Sequence, residues 1–148
     1  MAAHLEDKGV ATLNQTGLAQ KFGPVTSHLR IALNQNDIYT ARIPAGDADV
    51  IIGCDLAVTA TDDALAKMEK VRTYAVVNDT MLPTAEFVHN PDAVFHDDAM
   101  KQSIGEEIGD GQIDFLPATE LASALLGDTI ATNLFMVGFA FQKGLLPL

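Results

Sequence analysis

At 148 residues, with 20 acidic against 9 basic side chains and a net charge of −11, the chain suits one domain with a substantial core rather than two. Hydrophobic residues make up 48% and the mean hydropathy is +0.16, which argues against disorder. The acidic balance argues against a nucleic-acid footprint and a polybasic membrane anchor, because both need a basic surface.

In chain order, Met1 to Lys8 reads as a helix, with Met1, Leu5 and the alanines on one side and Glu6, Asp7 and Lys8 on the other. Gly9 is placed to stop it as a left-handed cap. Val10 to Asn14 is a short β-prone run, and the glycine-containing segment QTGLAQKFGPVTSHLRI, residues 15–31, follows. Its end, Ser27 to Leu33, alternates Leu29 and Ile31 with His28 and Arg30, a strand with one wetter face. Asn34 to Asp37 is a turn cluster, Ile38 to Ile43 continues extended, and Pro44 to Gly46 ends that run.

The next stretch, GDADVIIGCDLAVTATDDALAKMEKV, allows two parses. Either ADVIIG is the strand, or it is a helical turn leading into DLAVTA as the strand. The second is preferred, since it makes Thr61 and Asp62 helix N-cap residues directly after a strand, with ALAKMEKV as the helix. Arg72 to Asn78 is a buried strand, Pro83 opens a loop, and Thr84 to Val88 is a short strand. Residues 97–109, DDAMKQSIGEEIG, form an acidic amphipathic helix ending at glycine. Gln112 to Ala118 is a strand that closes near Pro117. Thr119 caps a helix through Leu126, Gly127 and Asp128 interrupt it, and a second helix runs to Gln142.

The apolar run IATNLFMVGFAF, residues 130–141, is shorter than the roughly 20 residues that cross a bilayer and reads as a buried helix. MAAHLEDKGV lacks the basic-then-apolar order of a signal peptide. The alternation of strands and helices predicts an α/β three-layer sandwich around a mainly parallel sheet, in a single domain over residues 1–148.

Chemistry-bearing residues are sparse. The lone Cys54 cannot form a disulfide within the chain, hold an iron–sulfur cluster or build a cysteine-rich zinc site; it suits a reducing, cytoplasmic compartment. After VIIG it reads as a small buried hydrophobe rather than a nucleophile served by His28. GDG at 109–111 with Asn133 imitates the thiamine diphosphate motif, but SIGEEI precedes it instead of an apolar strand, so turn chemistry explains it better. His89 and His96 have no histidine partner at helical spacing, and Asp97 and Asp98 read as helix-start charges rather than metal ligands. No catalytic constellation assembles from the chain alone.

The glycine-containing segment remains. Gly17 and Gly23 permit close backbone approach, while Lys21, Gln15 and Gln20 offer donors of the kind a phosphate or carboxylate takes. His28 and Arg30 share one strand face, where the guanidinium suits an acid. On residues alone, a plain connecting loop and a ligand loop weigh equally.

The segment QTGLAQKFGPVTSHLRI resembles one in the γ domain of pyruvate and other 2-oxoacid:ferredoxin oxidoreductases, and of indolepyruvate:ferredoxin oxidoreductases in particular. The resemblance continues through ADVIIGCDLAVTA, AVVNDTMLPTAEF and LLGDTIATNLFMVGFAFQKGLLPL, and so covers most of the chain. It implies oxidative decarboxylation of an aryl 2-oxoacid to an acyl-CoA, with thiamine diphosphate, magnesium and iron–sulfur clusters held by other domains, and ferredoxin as electron acceptor. None of those groups is expected on this chain alone, which the resemblance makes inactive by itself. Partners would be the other domains or subunits of the enzyme, with self-association left open, and with neither nucleic acid nor membrane among them.

By the same resemblance, Gly17, Gln20, Lys21, Gly23, Ser27, His28 and Arg30 would face the active-site or coenzyme A region; catalytic residues are not assigned and no metal ligand is expected. The family pattern opens with a strand and a glycine turn before the first helix and runs on past QKGLLPL. The chain therefore resembles a truncated γ domain, expected to lack the first strand and to leave one sheet strand unpaired. A stand-alone nucleotide- or CoA-binding module and a structural docking domain are the competing readings.

Overall fold

The computed structural model describes residues 1–16, 24–80, 97–109 and 111–148. Helix α1 (Ala2–Leu5) leads into strand β1 (Gly9–Thr16), which pairs antiparallel with β2 (Val25–Ala32) from Gly9 opposite Ala32 to Thr16 opposite Val25. Strands β3 (Val50–Gly53), β4 (Tyr74–Asn78) and β5 (Ile113–Leu116) form a parallel sheet in the order β3-β4-β5. Helices α2 (Leu56–Thr59), α3 (Asp62–Leu65), α4 (Asp97–Ile108), α5 (Ala118–Leu126) and α6 (Thr132–Gln142), with 3₁₀ turns at Gln35–Asp37 and Thr129–Ala131, complete the described elements.

The period of two along a strand distributes the core into two layers. Ala75 and Val77 of β4, with Ile51, Ile113 and Phe115, pack against Leu56, Leu65, Met68, Met100, Ile104 and Ile108. On the opposite face, Val76 and Tyr74 of β4, with Ile52 and Leu116, pack against Ala118, Phe135, Met136, Phe139 and Ala140. Helices therefore lie on both faces of a parallel sheet, the three-layer α/β arrangement that the alternation of elements predicts. Lys143 Nζ anchors the end of α6 to the sheet, 2.6 Å from Asp114 Oδ2 and 2.7 Å from the Tyr74 hydroxyl, and Asp114 holds its pKa above the ordinary lysine value.

Several local expectations are corrected. The first helix covers only residues 2–5, and Gly9 does not cap it: the left-handed residue is Asp7, at φ +55°. Gly9 instead starts β1, buried so closely against the next turn that a Cβ would lie 2.6 Å from the Asn34 and Gln35 backbone. ADVIIG supplies the strand and DLAVT the helix, the reverse of the preferred parse. The helix-start signal is Asp55, whose Oδ1 accepts from the Val58 N–H at 3.0 Å. Thr61 does precede α3, but its hydroxyl donates to the Val58 carbonyl rather than capping.

Helix α3 ends at Leu65 because the Ala66 and Lys67 carbonyls accept from Gly46 and Ala48, at 2.9 and 3.1 Å, while Met68 turns into the core. Ile38 to Ile43 forms no strand; the Ile43 N–H goes to a histidine ring instead of a ladder. Thr119 lies inside α5, whose N-cap position is held by Pro117, whereas Gly127 closes that helix at φ +79° as expected. Helix α4 begins at Asp97 and Asp98 and ends before Gly109 at φ +95°, also as expected. The expected strand at Thr84–Val88, the loop from Pro83, His89, His96 and Asp110 lie outside the described residues. Among the described residues, no helix is long and apolar enough to cross a membrane.

Candidate functional site

Two polar assemblies stand out, and the first is built on the hairpin. His28 is buried in β2 with both ring nitrogens engaged. Nδ1 accepts from the Ile43 N–H at 3.0 Å, so the proton sits on Nε2, which donates to Gln15 Oε1 at 3.2 Å. Burial, then the nearby Lys67 charge, pulls its pKa below the ordinary histidine value. This ring ties β1, β2 and the segment before Pro44 together.

Two residues on, Arg30 does find an acid, but within the chain: Nη2 donates to Asp47 Oδ2 at 2.7 Å. Arg72 Nη1 meets the other Asp47 oxygen at 2.6 Å, and its Nε donates to Asp49 at 2.9 Å. The hydrogen bond from Arg30 holds the Asp47 carboxyl below the usual carboxylate range. The Arg30 Nε is buried without a partner among the described residues. Ser27 stands on the outer face of the hairpin, its hydroxyl donating to Asn14 Oδ1 at 2.9 Å. Gly17, Gln20, Lys21 and Gly23, the remaining candidate residues, fall in 17–23, outside the described residues.

At the outer end of the hairpin an open cleft of about 360 Å³ separates it from the α2–α3 corner. Gln15, Thr16, Pro24 and Thr26 form one wall, and Val58, Thr61 and Asp63 the other. Thr16 and Pro24, the described residues that flank 17–23 in the sequence, both line this cleft. Among the described residues Asp63 is the charged group of the lining, bonded by Lys67 at 3.0 Å, which lowers its pKa. Gln15 and Thr16 were legible as members of the polar loop; Val58, Thr61 and Asp63 reach the cleft only through packing.

The second assembly lies at the carboxyl edge of the parallel sheet, where open α/β folds place ligands. Asn78 ends β4 and is fully buried. Its Nδ2 donates to the Cys54 carbonyl at 3.1 Å and to Thr119 Oγ1 at 2.9 Å. Its Oδ1 accepts from the Thr119 and Thr80 N–H groups, each at 3.3 Å. One amide thus clasps the carboxyl ends of all three parallel strands. Lys101 reaches over from α4 to within 3.5 Å of Asp79. The signal for this residue was present in the sequence as the single polar side chain closing the apolar run YAVVN.

Cys54 follows β3 at the same edge, half-buried, and burial pushes its thiol above the ordinary pKa, followed by the Asp55 charge. A raised pKa leaves less thiolate, and Cys54 is half-buried rather than fully buried as the sequence suggests. Among the described residues no group of three His, Cys, Asp or Glu side chains converges as a metal site.

Fold and sites together define an α/β domain that presents polar walls, a hairpin cleft and a clasped sheet edge. The model of the pyruvate ferredoxin/flavodoxin oxidoreductase family matches residues 1–148, the whole chain. The chain belongs to that family, and its partners are other parts of such an oxidoreductase. No curated protein and no solved structure matches it.

Proposed function

We propose that the chain is the γ-domain layer of an indolepyruvate, or other aryl 2-oxoacid,:ferredoxin oxidoreductase and that its hairpin loop forms a wall where coenzyme A approaches. The observation that carries the reading is the family match across all 148 residues. Support for the division of labour comes from composition, since one cysteine falls short of the four thiolates a cluster takes. Thiamine diphosphate, magnesium and clusters are then supplied by other domains, and ferredoxin receives the electrons. Coenzyme A, when bound, supplies the thiol that carries away the acyl group.

The described lining fits a neutral, amide-bearing arm of such a ligand better than its phosphates. Gln15, Thr16, Thr26 and Thr61 offer donors and acceptors, whereas Asp63 repels an anion. In this reading Lys21 brings the positive charge the phosphates need, and Gly17 and Gly23 allow backbone N–H groups to approach. Gln20 contributes a neutral donor, whereas Ser27, on the outer face with its hydroxyl given to Asn14, stays out of the lining. His28 and Arg30 act as positioning residues, because the ring and the guanidinium are already committed to Gln15, Ile43 and Asp47.

The test is steady-state kinetics of the assembled enzyme carrying Lys21→Ala. Loss of one ionic contact to phosphate is expected to raise KM for coenzyme A about tenfold or more, with the 2-oxoacid KM unchanged. An unchanged coenzyme A KM would reject the assignment. A docking role is the second reading, favoured by the exposed apolar side chains of α5 and α6.

A further inference from the structure

Helix α6, expected to be buried, is covered on one face only. More directed chemistry lies in the cleft at the hairpin, where each wall carries one half of a hydrogen-bonding pattern.

The hairpin wall donates. The Ile43 N–H can act only as a donor, so His28 Nδ1 accepts and the ring proton stands on Nε2. That proton goes to Gln15 and fixes the direction of its amide, with Oε1 turned to the ring at 3.2 Å. What Gln15 then offers the cleft it lines is Nε2, with two N–H bonds. The strand register sets Gln15 opposite Thr26, two residues before His28, so the three side chains share one face of the hairpin. A buried ring thus holds an exposed amide in one orientation.

The side chains of the facing wall accept. The Thr61 hydroxyl gives its proton to the Val58 carbonyl at 2.8 Å, which leaves it lone pairs alone. Asp63 takes the Lys67 ammonium on Oδ1 at 3.0 Å, and its other oxygen is an acceptor. The same bond lowers the Asp63 pKa and keeps the carboxylate ionised.

A group that satisfies both walls carries a carbonyl at one end and an N–H at the other. A phosphate or carboxylate only accepts, and an ammonium only donates; a secondary amide does both within one planar unit. We propose that Gln15 and Asp63 grip a secondary amide of the ligand, Gln15 Nε2 donating to its carbonyl and the Asp63 carboxylate accepting from its N–H, with His28 positioning Gln15. The inference rests on the coenzyme A reading, and makes the group held one of the amides of the pantetheine arm.

Displacement of radiolabelled coenzyme A from the assembled oxidoreductase, at equilibrium and without 2-oxoacid, separates the two ends of the ligand. S-methylpantetheine carries the amides and no phosphate; adenosine 3′,5′-bisphosphate carries phosphates and no amide. Gln15→Met removes the donor without adding charge, and Gln15→Glu removes it while keeping an oxygen for the His28 proton. Each is expected to weaken S-methylpantetheine about three- to tenfold, the range of one hydrogen bond. Gln15→Met leaves the bisphosphate unchanged, and Lys21→Ala shows the reverse pattern. Asp63→Ala weakens S-methylpantetheine to a similar degree and the bisphosphate not at all. His28→Leu matches Gln15→Met and adds nothing in its background, as expected of a residue that acts through another.

Gln15 variants that leave S-methylpantetheine unchanged, while Lys21→Ala weakens the bisphosphate, overturn the amide grip and leave the coenzyme A reading standing. Fragments that bind every variant alike, Lys21→Ala included, overturn both. An S-methylpantetheine that displaces no coenzyme A overturns the grip as well. Weakening by Gln15→Met but not by Gln15→Glu overturns the donor role, and additive effects of His28→Leu and Gln15→Met overturn the positioning role.

Discussion

Replacing Asn78 by alanine should release the carboxyl edge of the sheet. The amide makes four hydrogen bonds, to the Cys54 carbonyl, Thr119 Oγ1, the Thr119 N–H and the Thr80 N–H. Alanine leaves the Cys54 carbonyl and the Thr119 N–H without this partner, and each unsatisfied buried group costs about 1–3 kcal/mol. With the small void added, the expected loss is about 3–5 kcal/mol, a large part of the 5–15 kcal/mol typical of a domain. Urea unfolding followed by circular dichroism measures it, and the thermal midpoint should fall by about 10 °C.

Asn78→Asp supplies the chemical control. Its oxygens still accept from Thr119 and Thr80, but the donor toward the Cys54 carbonyl is gone and a buried carboxylate takes its place. Burial raises that carboxyl's pKa in the folded state, so the variant should be closest to the parent at low pH and lose stability as pH rises through the raised value. A double-mutant cycle with Thr119→Val should give a coupling of about 0.5–3 kcal/mol. A loss under about 0.5 kcal/mol for Asn78→Ala, or a pH-independent Asn78→Asp, would refute the clasp.

Two other outcomes follow from the geometry. His28 has its pKa lowered from 6.5 by burial, so the unfolded chain takes up the proton first as pH falls. The His28 contribution is fully present above about 6.5 and lost below it, and Asp47 and Asp63, lowered from 3.8 by Arg30 and Lys67, add a second loss below about 4. Stability measured against pH should therefore fall in two stages, and His28→Gln should remove the first; a single acid transition would contradict the ring's role. Gly9→Ala should cost about 1–3 kcal/mol in urea unfolding, because its Cβ meets backbone that no rotamer change can move. A neutral result would show that the β1 start has room.

Legibility in the sequence followed the strength of local signals. YAVVN and the acidic helix at 97–108 were plain, one as an apolar β-branched run and the other as a periodic segment with acids first and glycine last. VIIG and LAVT are each four residues, apolar and β-branched, so periodicity does not separate strand from helix. The deciding mark is Asp55, an N-cap one position before the helix, whereas Thr61 stands before the next helix.

Gly9 carried the sequence signature of a helix cap, while its actual reason, the backbone of Asn34, lies 25 positions away. Ile38–Ile43 reads as extended, but among the described residues no strand pairs with it and His28 takes the Ile43 N–H. For the candidate site, the polar hairpin was readable and the facing wall was not, because Val58, Thr61 and Asp63 arrive from a different layer.

Hydrogen exchange of the assembled oxidoreductase, with and without coenzyme A, addresses the central assignment most directly. Amides between Gln15 and His28 should slow on adding the ligand, while those of β4 and α6 stay unchanged. Protection confined to other domains, with residues 15–28 exchanging as before, would contradict the placement of this hairpin at the site.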